Sequence, residues 1–219
     1  MIQLLTMVAA LGANPSLPAG SYRYTATLNG KTAGSTTLTV QDSGGNTKID
    51  ENATASTSGI DFTGNASLVL GADLVPTQYA GSYKMGGQQA KVDVSLTPTT
   101  ATVTGAANPR PQTFALDANA KHFVVIEPGL LAGLFALPAQ TQAWNNAAVT
   151  AIVPVFGREE SLAFAANPSA PRPAGVPAAD VALDVAGPYQ LTVWYDPATL
   201  IPDEFVLASQ NATVTRVRD

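Results

Sequence analysis

The sequence predicts a mainly β protein in which two antiparallel meanders are separated by one short apolar helix. Three observations support this fold class. Hydrophobic and polar residues alternate with the period of two that is typical of strands, turn dipeptides containing glycine interrupt the alternation, and one stretch in the middle is almost continuously apolar. The alternation lies on both sides of that stretch, which places the helix between two meanders.

The N-terminus has the character of an export signal. Residues 2–12 form a short apolar run, followed by small residues and Asn14-Pro15, where signals commonly give way to the mature protein. The usual basic segment is missing, since the first basic residue is Arg23. We interpret residues 1–13 as an atypical signal segment and 14–219 as a single β-rich domain; the alternative is a first buried helix. Neither this run nor any other is long enough to span a bilayer.

The first meander extends from Gly20 to about Thr104. Tyr22 and Tyr24 fall on one face of the opening strand, and Asn29-Gly30 follows it. This dipeptide is a strong hairpin signal, because a type I′ turn needs positive φ at both central residues. Gly86-Gly87 predicts a second tight hairpin.

The apolar segment 121–144 contains the predicted helix, near residues 128–137. Glu127 suits the positive end of a helix, Pro128 is tolerated in a first turn, and Pro138 is expected to end the helix. Such a helix is apolar nearly all round and must be buried on most sides. The apolar residues are Leu130, Leu131, Leu134, Phe135 and Leu137.

The second meander begins near residue 149. Its strands are separated by a charged turn at 157–160, by an exposed, mobile Pro/Ala loop at 167–177, and by turns at Asp196-Pro197 and 201–203. No fixed-period repeat relates the two meanders.

The composition excludes several classes of function. The chain has 219 residues, a net charge of −5 and no basic stripe, which argues against nucleic acid as a partner. It contains no cysteine and one histidine, which excludes disulfides, thiolate catalysis and clustered histidine or cysteine metal sites. We therefore expect neither a cofactor nor a metal.

Catalytic motifs are absent. The sequence contains no G-x-S-x-G nucleophile elbow for which His122 could act as the general base, so we interpret His122 as structural. Asp50-Glu51, Glu159-Glu160 and Asp203-Glu204 are adjacent acids in polar or turn-like sequence, so we expect these pairs to be solvated. Neighbours on a strand point to opposite faces, so such a pair would not share a substrate. The sequence predicts a protein that is not an enzyme, with an unrecognised hydrolase dependent on His122 as the remaining catalytic alternative.

Two stretches resemble the DUF3108-like group of uncharacterised bacterial envelope proteins. They are LPAGSYRYTATLNGKTAGSTTLTV at 17–40 and VWYDPATLIPDEFVLASQNATVTR at 193–216, with ALDANAKHFVVI and VTAIVPVFG between them. The resemblance implies a strongly curved antiparallel sheet, a half-barrel or an open barrel, wrapped around the helix. That arrangement is similar to the lipoprotein-carrier fold, whose concave face holds apolar ligands.

The functional expectation is an exported, periplasmic or secreted protein that binds a hydrophobic, lipid-like ligand in the concave face of the sheet. The alternative is a structural module that contacts another envelope protein, with the aromatic residues forming a filled core. The candidate ligand-binding residues are Tyr22, Tyr24, Phe62, Tyr79, Tyr83, Leu131, Leu134, Phe135, Trp144 and Trp194.

Overall fold

The computed structural model describes residues 16–97, 99–105, 110–115, 122–145, 149–187 and 190–218. The predicted signal segment, 1–13, lies outside them. Strands account for 61% of the described residues, and they form one large, curved, unclosed antiparallel sheet with one short helix. The predicted fold class is therefore confirmed.

The first meander supplies eight strands. They are β1 (Gly20–Leu28), β2 (Lys31–Ser43), β3 (Asn46–Thr57), β4 (Ile60–Leu70), β5 (Pro76–Met85), β6 (Gln88–Leu96), β7 (Thr100–Gly105) and β8 (Gln112–Ala115). Asn29 and Gly30 have φ of 51° and 73°, so the turn between β1 and β2 has the positive φ values that were predicted from the Asn-Gly dipeptide.

The second part of the chain supplies the helix and seven strands. They are β9 (Phe123–Val125), α1 (Ala132–Ala143), β10 (Val149–Val153), β11 (Arg158–Ala166), β12 (Val181–Ala186), β13 (Leu191–Tyr195), β14 (Pro202–Leu207) and β15 (Ala212–Val217). Single turns of 3₁₀ helix at Pro154–Phe156 and Ala208–Gln210 precede β11 and β15.

One long-range pairing joins the two meanders into a single sheet. The first strand, β1, pairs with the last, β15, with Tyr24 opposite Arg216. The strand order is therefore β8-β7-β6-β5-β4-β3-β2-β1-β15-β14-β13-β12-β11-β10-β9. Neighbouring strands are antiparallel except for β9 and β10, which are parallel. Because α1 lies between those two strands in the chain, it forms the crossover that a parallel pair requires.

The main core lies between α1 and the concave face of the sheet. Alternate residues of the strands point into it, as the period of two requires; among them Leu38, Ile49 and Leu68 are at most 1% exposed. The helix is buried from Ala132 to Thr141, as its continuous apolar pattern predicted. It lies close to β9, because a side chain at Gly133 would clash with the backbone oxygen of Val125.

The predicted ends of the helix were wrong. It begins at Ala132 instead of near Pro128, and Pro138 lies inside it instead of ending it. Proline lacks the N–H that would bond to the carbonyl of Leu134 and usually breaks or kinks a helix. Here burial on nearly all sides favours the helical conformation on both sides of Pro138. No helix in the described ranges is long and apolar enough to cross a membrane.

Candidate functional site

An apolar cavity of about 340 Å³ lies between the start of α1 and the concave face of the sheet. Its walls come from β1 to β5, from the loop and helix start at 126–134, and from β13 to β15. Most lining side chains are aliphatic or aromatic. The lining residues are Ala26, Ser35, Thr36, Ala53, Thr54, Ala55, Phe62, Met85, Ile126, Glu127, Pro128, Gly129, Leu130, Leu131, Leu134, Leu191, Leu207, Gln210, Ala212 and Val214.

Two glycines, Gly64 on β4 and Gly129 in the loop that precedes α1, allow this loop to lie close to the sheet. A Cβ at Gly64 of β4 would lie 2.8 Å from the Cδ2 atom of Leu130 and 2.8 Å from the ring of Phe62. Gly129 has φ of +85°, a value that side chains rarely adopt, and it turns the chain over the ring of Phe62. The two glycines therefore determine how closely the loop covers the sheet.

Glu51 fixes the start of the helix. It lies in the middle of β3, is 1% exposed, and its carboxylate accepts hydrogen bonds from the backbone N–H groups of Leu131, at 2.8 Å, and Ala132, at 2.7 Å. Burial raises the pKa of Glu51 to about 7, against the opposing effect of these N–H donors. A side chain from the sheet thus satisfies N–H groups that a helix start leaves without intrahelical partners.

Glu127 is a second buried acid, and it is the one that belongs to the cavity lining described above. It is 3% exposed, and its Oε2 atom accepts a hydrogen bond from the backbone N–H of Val155 at 3.2 Å. Its Oε1 atom is buried without a hydrogen-bond partner among the described residues. Burial raises the pKa of Glu127 to about 8, opposed by the N–H of Val155. Buried polar atoms without partners are uncommon and require an explanation.

Two tyrosines lie near these acids. The hydroxyl groups of Tyr79 and Tyr83 are buried without hydrogen-bond partners in the described part of the chain. Burial raises the pKa of both, and the charge of Glu127 adds to that effect. The ring of Tyr83 stacks on Phe62 with centroids 6.4 Å apart, so this polar cluster adjoins the wall of the cavity.

The structure brings some of the predicted site residues together. Phe62, Leu131 and Leu134 line the cavity. Phe135 lies in the core beside two predicted tyrosines, with ring centroids 5.3 Å from Tyr22 and 6.4 Å from Tyr24.

Other predicted site residues lie away from the cavity. Trp144, at the end of α1, donates a hydrogen bond from its indole N–H to the carbonyl of Asp73 and stacks on His122 at 4.7 Å. Trp194 belongs to a small cluster, separate from the main core, with Val176 and Ala182. In the register of β13, Trp194 points opposite to Val193, which is part of the main core.

The expectation that the acid pairs are solvated was wrong for three residues. Glu51, Asp203 and Glu204 are buried. Asp203 forms ion pairs with Arg216 and Arg218 at 3.3 and 2.5 Å. Burial is the largest cause of the raised pKa of Asp180, and the neighbouring Asp203 raises that pKa further. Strand alternation directs Glu51 to the core and Asp50 away from it, whereas Asp203 and Glu204 are both buried on β14.

A second depression, of about 490 Å³, is polar and open at the surface. Arg23, Arg216 and Arg218 line it together with Asp196. Because Arg216 and Arg218 pair with Asp203, much of the positive charge is compensated inside the protein. We interpret this region as a structural network and the apolar cavity as the candidate site. Among the described residues, no three acids or histidines are grouped as metal ligands.

The protein is therefore a curved-sheet protein with an apolar cavity between its helix and the concave face of the sheet. No known family model matches the chain, and no curated protein matches it. A solved structure, a DUF1089 family protein from Pseudomonas aeruginosa, is similar over 92% of this chain and 95% of its own length, with 9% identity and a TM-score of 0.44. The resemblance to DUF3108-like proteins and lipoprotein carriers was therefore wrong: the comparisons give no such relative, and the structural neighbour belongs to another family.

Proposed function

We propose that this protein is an exported, non-enzymatic binding protein that holds a hydrophobic, lipid-like ligand in the cavity between α1 and the concave face of the sheet. The supporting observation is the cavity itself. Its volume of about 340 Å³ lies at the lower end of the range for ligand pockets, roughly 300–1,000 Å³, and such pockets are mostly apolar with few polar groups. Export to the periplasm or beyond is proposed from the apolar run at 2–12.

The mouth of the cavity supports entry of an apolar molecule. Met85, which lines the cavity, is 54% exposed, and Ile60 on the neighbouring hairpin is 50% exposed. Pro128 and Gly129 are also exposed at this opening. Large exposed apolar side chains next to an apolar cavity are typical of ligand-binding surfaces.

A cavity-filling variant tests the proposal. Ala26 lines the cavity from β1, so Ala26→Phe is expected to fill part of it. Delipidated wild-type protein should bind the neutral dye N-phenyl-1-naphthylamine with enhanced fluorescence, and Ala26→Phe should weaken binding by about tenfold or more. The matched control is Ala80→Phe on β5, where the side chain is exposed.

Two results would contradict the proposal. One is the absence of dye binding to folded wild-type protein, which would favour the structural-module alternative. The other is equal binding by both variants, with circular dichroism showing that each is folded. Export has its own test: the full chain expressed in a bacterium should appear in the periplasmic fraction or the medium with a mass that lacks the signal segment.

A further inference from the structure

A short loop covers one side of the cavity. Residues 127–131 all line it, and they belong to the connection between β9 and α1. Gly129 turns this loop with φ of +85° and lies over the ring of Phe62, and the N–H of Leu130 donates to the carbonyl of Glu127 at 3.1 Å. We call residues 127–131 the lid, because their displacement would open the cavity while every strand pair of the sheet stays formed.

Two buried acids hold the two ends of the lid, and they hold them unequally. At the helix end, Glu51 accepts the N–H groups of Leu131 and Ala132 at 2.8 and 2.7 Å, so a negative charge on Glu51 is well bonded. At the other end, Glu127 accepts one N–H, from Val155 at 3.2 Å, and its Oε1 atom is buried without a partner among the described residues. A negative charge would therefore weaken the lid at Glu127.

The surroundings of Glu127 offer such a charge little compensation. Glu127 is 3% exposed, and in the described ranges it forms no ion pair. The ionisable groups near it are the phenols of Tyr79 and Tyr83 on β5, and Glu51 also acts on Tyr79. Burial raises the pKa of Glu127 to about 8. A neutral carboxyl costs far less to bury than a carboxylate, so the closed lid favours the neutral form.

We propose, building on the proposed function, that residues 127–131 are a proton-operated lid: the neutral carboxyl of Glu127 keeps the lid closed over a bound ligand, and loss of its proton to water opens the lid and releases the ligand. The carboxylate gains hydration when the lid opens, which its buried position does not provide. Glu51 holds the helix end in both states.

A single introduced thiol tests the lid without any ligand, since the chain contains no cysteine. Leu130→Cys places the thiol under the lid, where Leu130 is 3% exposed. Ser58→Cys is the exposed reference, and its labelling rate with DTNB corrects for the ionisation of the thiol. The labelling rate of Leu130→Cys relative to Ser58→Cys should rise about tenfold or more from pH 6 to pH 9, because opening is linked to ionisation of Glu127.

Three controls make the test specific. Adding Glu127→Gln to Leu130→Cys should remove the rise, because the amide does not titrate. Adding Glu159→Gln should leave it unchanged, because Glu159 is an exposed acid on β11. Ala101→Cys, at a position of 0% exposure on β7, should stay protected at both pH values, which distinguishes opening of the lid from unfolding of the whole protein.

Release of bound dye gives a second readout on the wild type. N-phenyl-1-naphthylamine should dissociate about tenfold faster at pH 9 than at pH 6, for the same linkage reason, and Glu127→Gln should remove the difference. This measurement needs no cysteine, so it also serves if Leu130→Cys does not fold.

The two readouts separate this inference from the proposed function. The lid is overturned if the relative labelling of Leu130→Cys is equal at both pH values, if Ala101→Cys shows the same rise, or if the rise persists with Glu127→Gln. Dye that binds but dissociates equally fast at both pH values overturns the gating role and leaves the proposed function intact. A lid that opens as expected on a folded protein that binds no dye overturns the proposed function, and the gating role with it.

Discussion

The carboxylate of Glu51, on strand β3, accepts a 2.7 Å hydrogen bond from the backbone N–H of Ala132, the first residue of helix α1. The same carboxylate accepts the N–H of Leu131, and Thr36 donates to it from the neighbouring strand at 3.4 Å. Leu131 itself provides no side-chain cap. The sheet therefore positions the helix start, and with it the cavity wall, through one buried acid.

Replacing Glu51 by leucine should destabilise the fold. Glu51→Leu leaves the N–H groups of Leu131 and Ala132 buried without an acceptor, and we expect a loss of about 1–3 kcal/mol in the free energy of unfolding. Urea unfolding at pH 5.5 measures it. The control, Asp50→Leu, changes the adjacent half-exposed acid and should stay within about 0.5 kcal/mol. Equal effects of the two substitutions would contradict the capping role.

Stability should decrease as pH rises. The pKa of Glu51 is raised to about 7 and that of Glu127 to about 8, from an ordinary value of 4.5. Between about pH 4.5 and 8 the folded protein therefore binds more protons than the unfolded chain, so folding is favoured at the lower pH and this contribution is lost as pH rises. Asp180 acts in the same direction. Urea unfolding should give a larger free energy at pH 5.5 than at pH 8.5.

The two acids can be separated from other titrating groups. In the double variant Glu51→Gln with Glu127→Gln, neither side chain titrates, so the difference between pH 5.5 and 8.5 should become smaller. A wild-type protein that becomes more stable from pH 5.5 to 8.5 would show that ionised Glu51 and Glu127 are favoured in the fold.

Gly133 should tolerate no side chain. A Cβ there would lie 1.8 Å from the carbonyl oxygen of Val125, so Gly133→Ala must move α1 away from β9. Alanine favours helix over glycine by about 1 kcal/mol, but the overpacking should cost more, for a net loss of about 1–3 kcal/mol. Thermal unfolding measures it. Gly20→Ala is the control, because its Cβ would lie 3.3 Å from the hydroxyl oxygen of Tyr22 and would meet no backbone atom that closely; a Gly133→Ala protein as stable as this control would contradict the close packing.

The strands were predictable because their signal is local. Alternation placed Tyr22 and Tyr24 on the buried face, and Asn29-Gly30 fixed the first hairpin. The pairing of β1 with β15 was not predictable, since no local pattern relates Tyr24 to its partner Arg216 near the other end of the sequence.

The site was less predictable than the fold. Phe62, Leu131 and Leu134 could be chosen because they are apolar residues in regular elements. Glu51 could not, because its role depends on a helix start 80 residues away in sequence. Its position on the same face as Ile49 and Ala53 was the available signal. Adjacent acids on a strand should therefore be assigned to a face one at a time.

Arg172 anchors the Pro/Ala loop to the outside of the sheet. Its guanidinium lies 4.5 Å from the ring centroid of Trp194 and donates hydrogen bonds to the carbonyls of Pro177 and Asp180. Arg172→Ala should accelerate proteolytic cleavage within 167–180 by about fivefold, which corresponds to the loss of a cation–π contact of about 1 kcal/mol. Arg158→Ala is the matched control, because Arg158 stacks on exposed Phe156 at 5.0 Å. Mass spectrometry of the fragments locates the cut; unchanged cleavage of Arg172→Ala would contradict the anchoring role of Arg172.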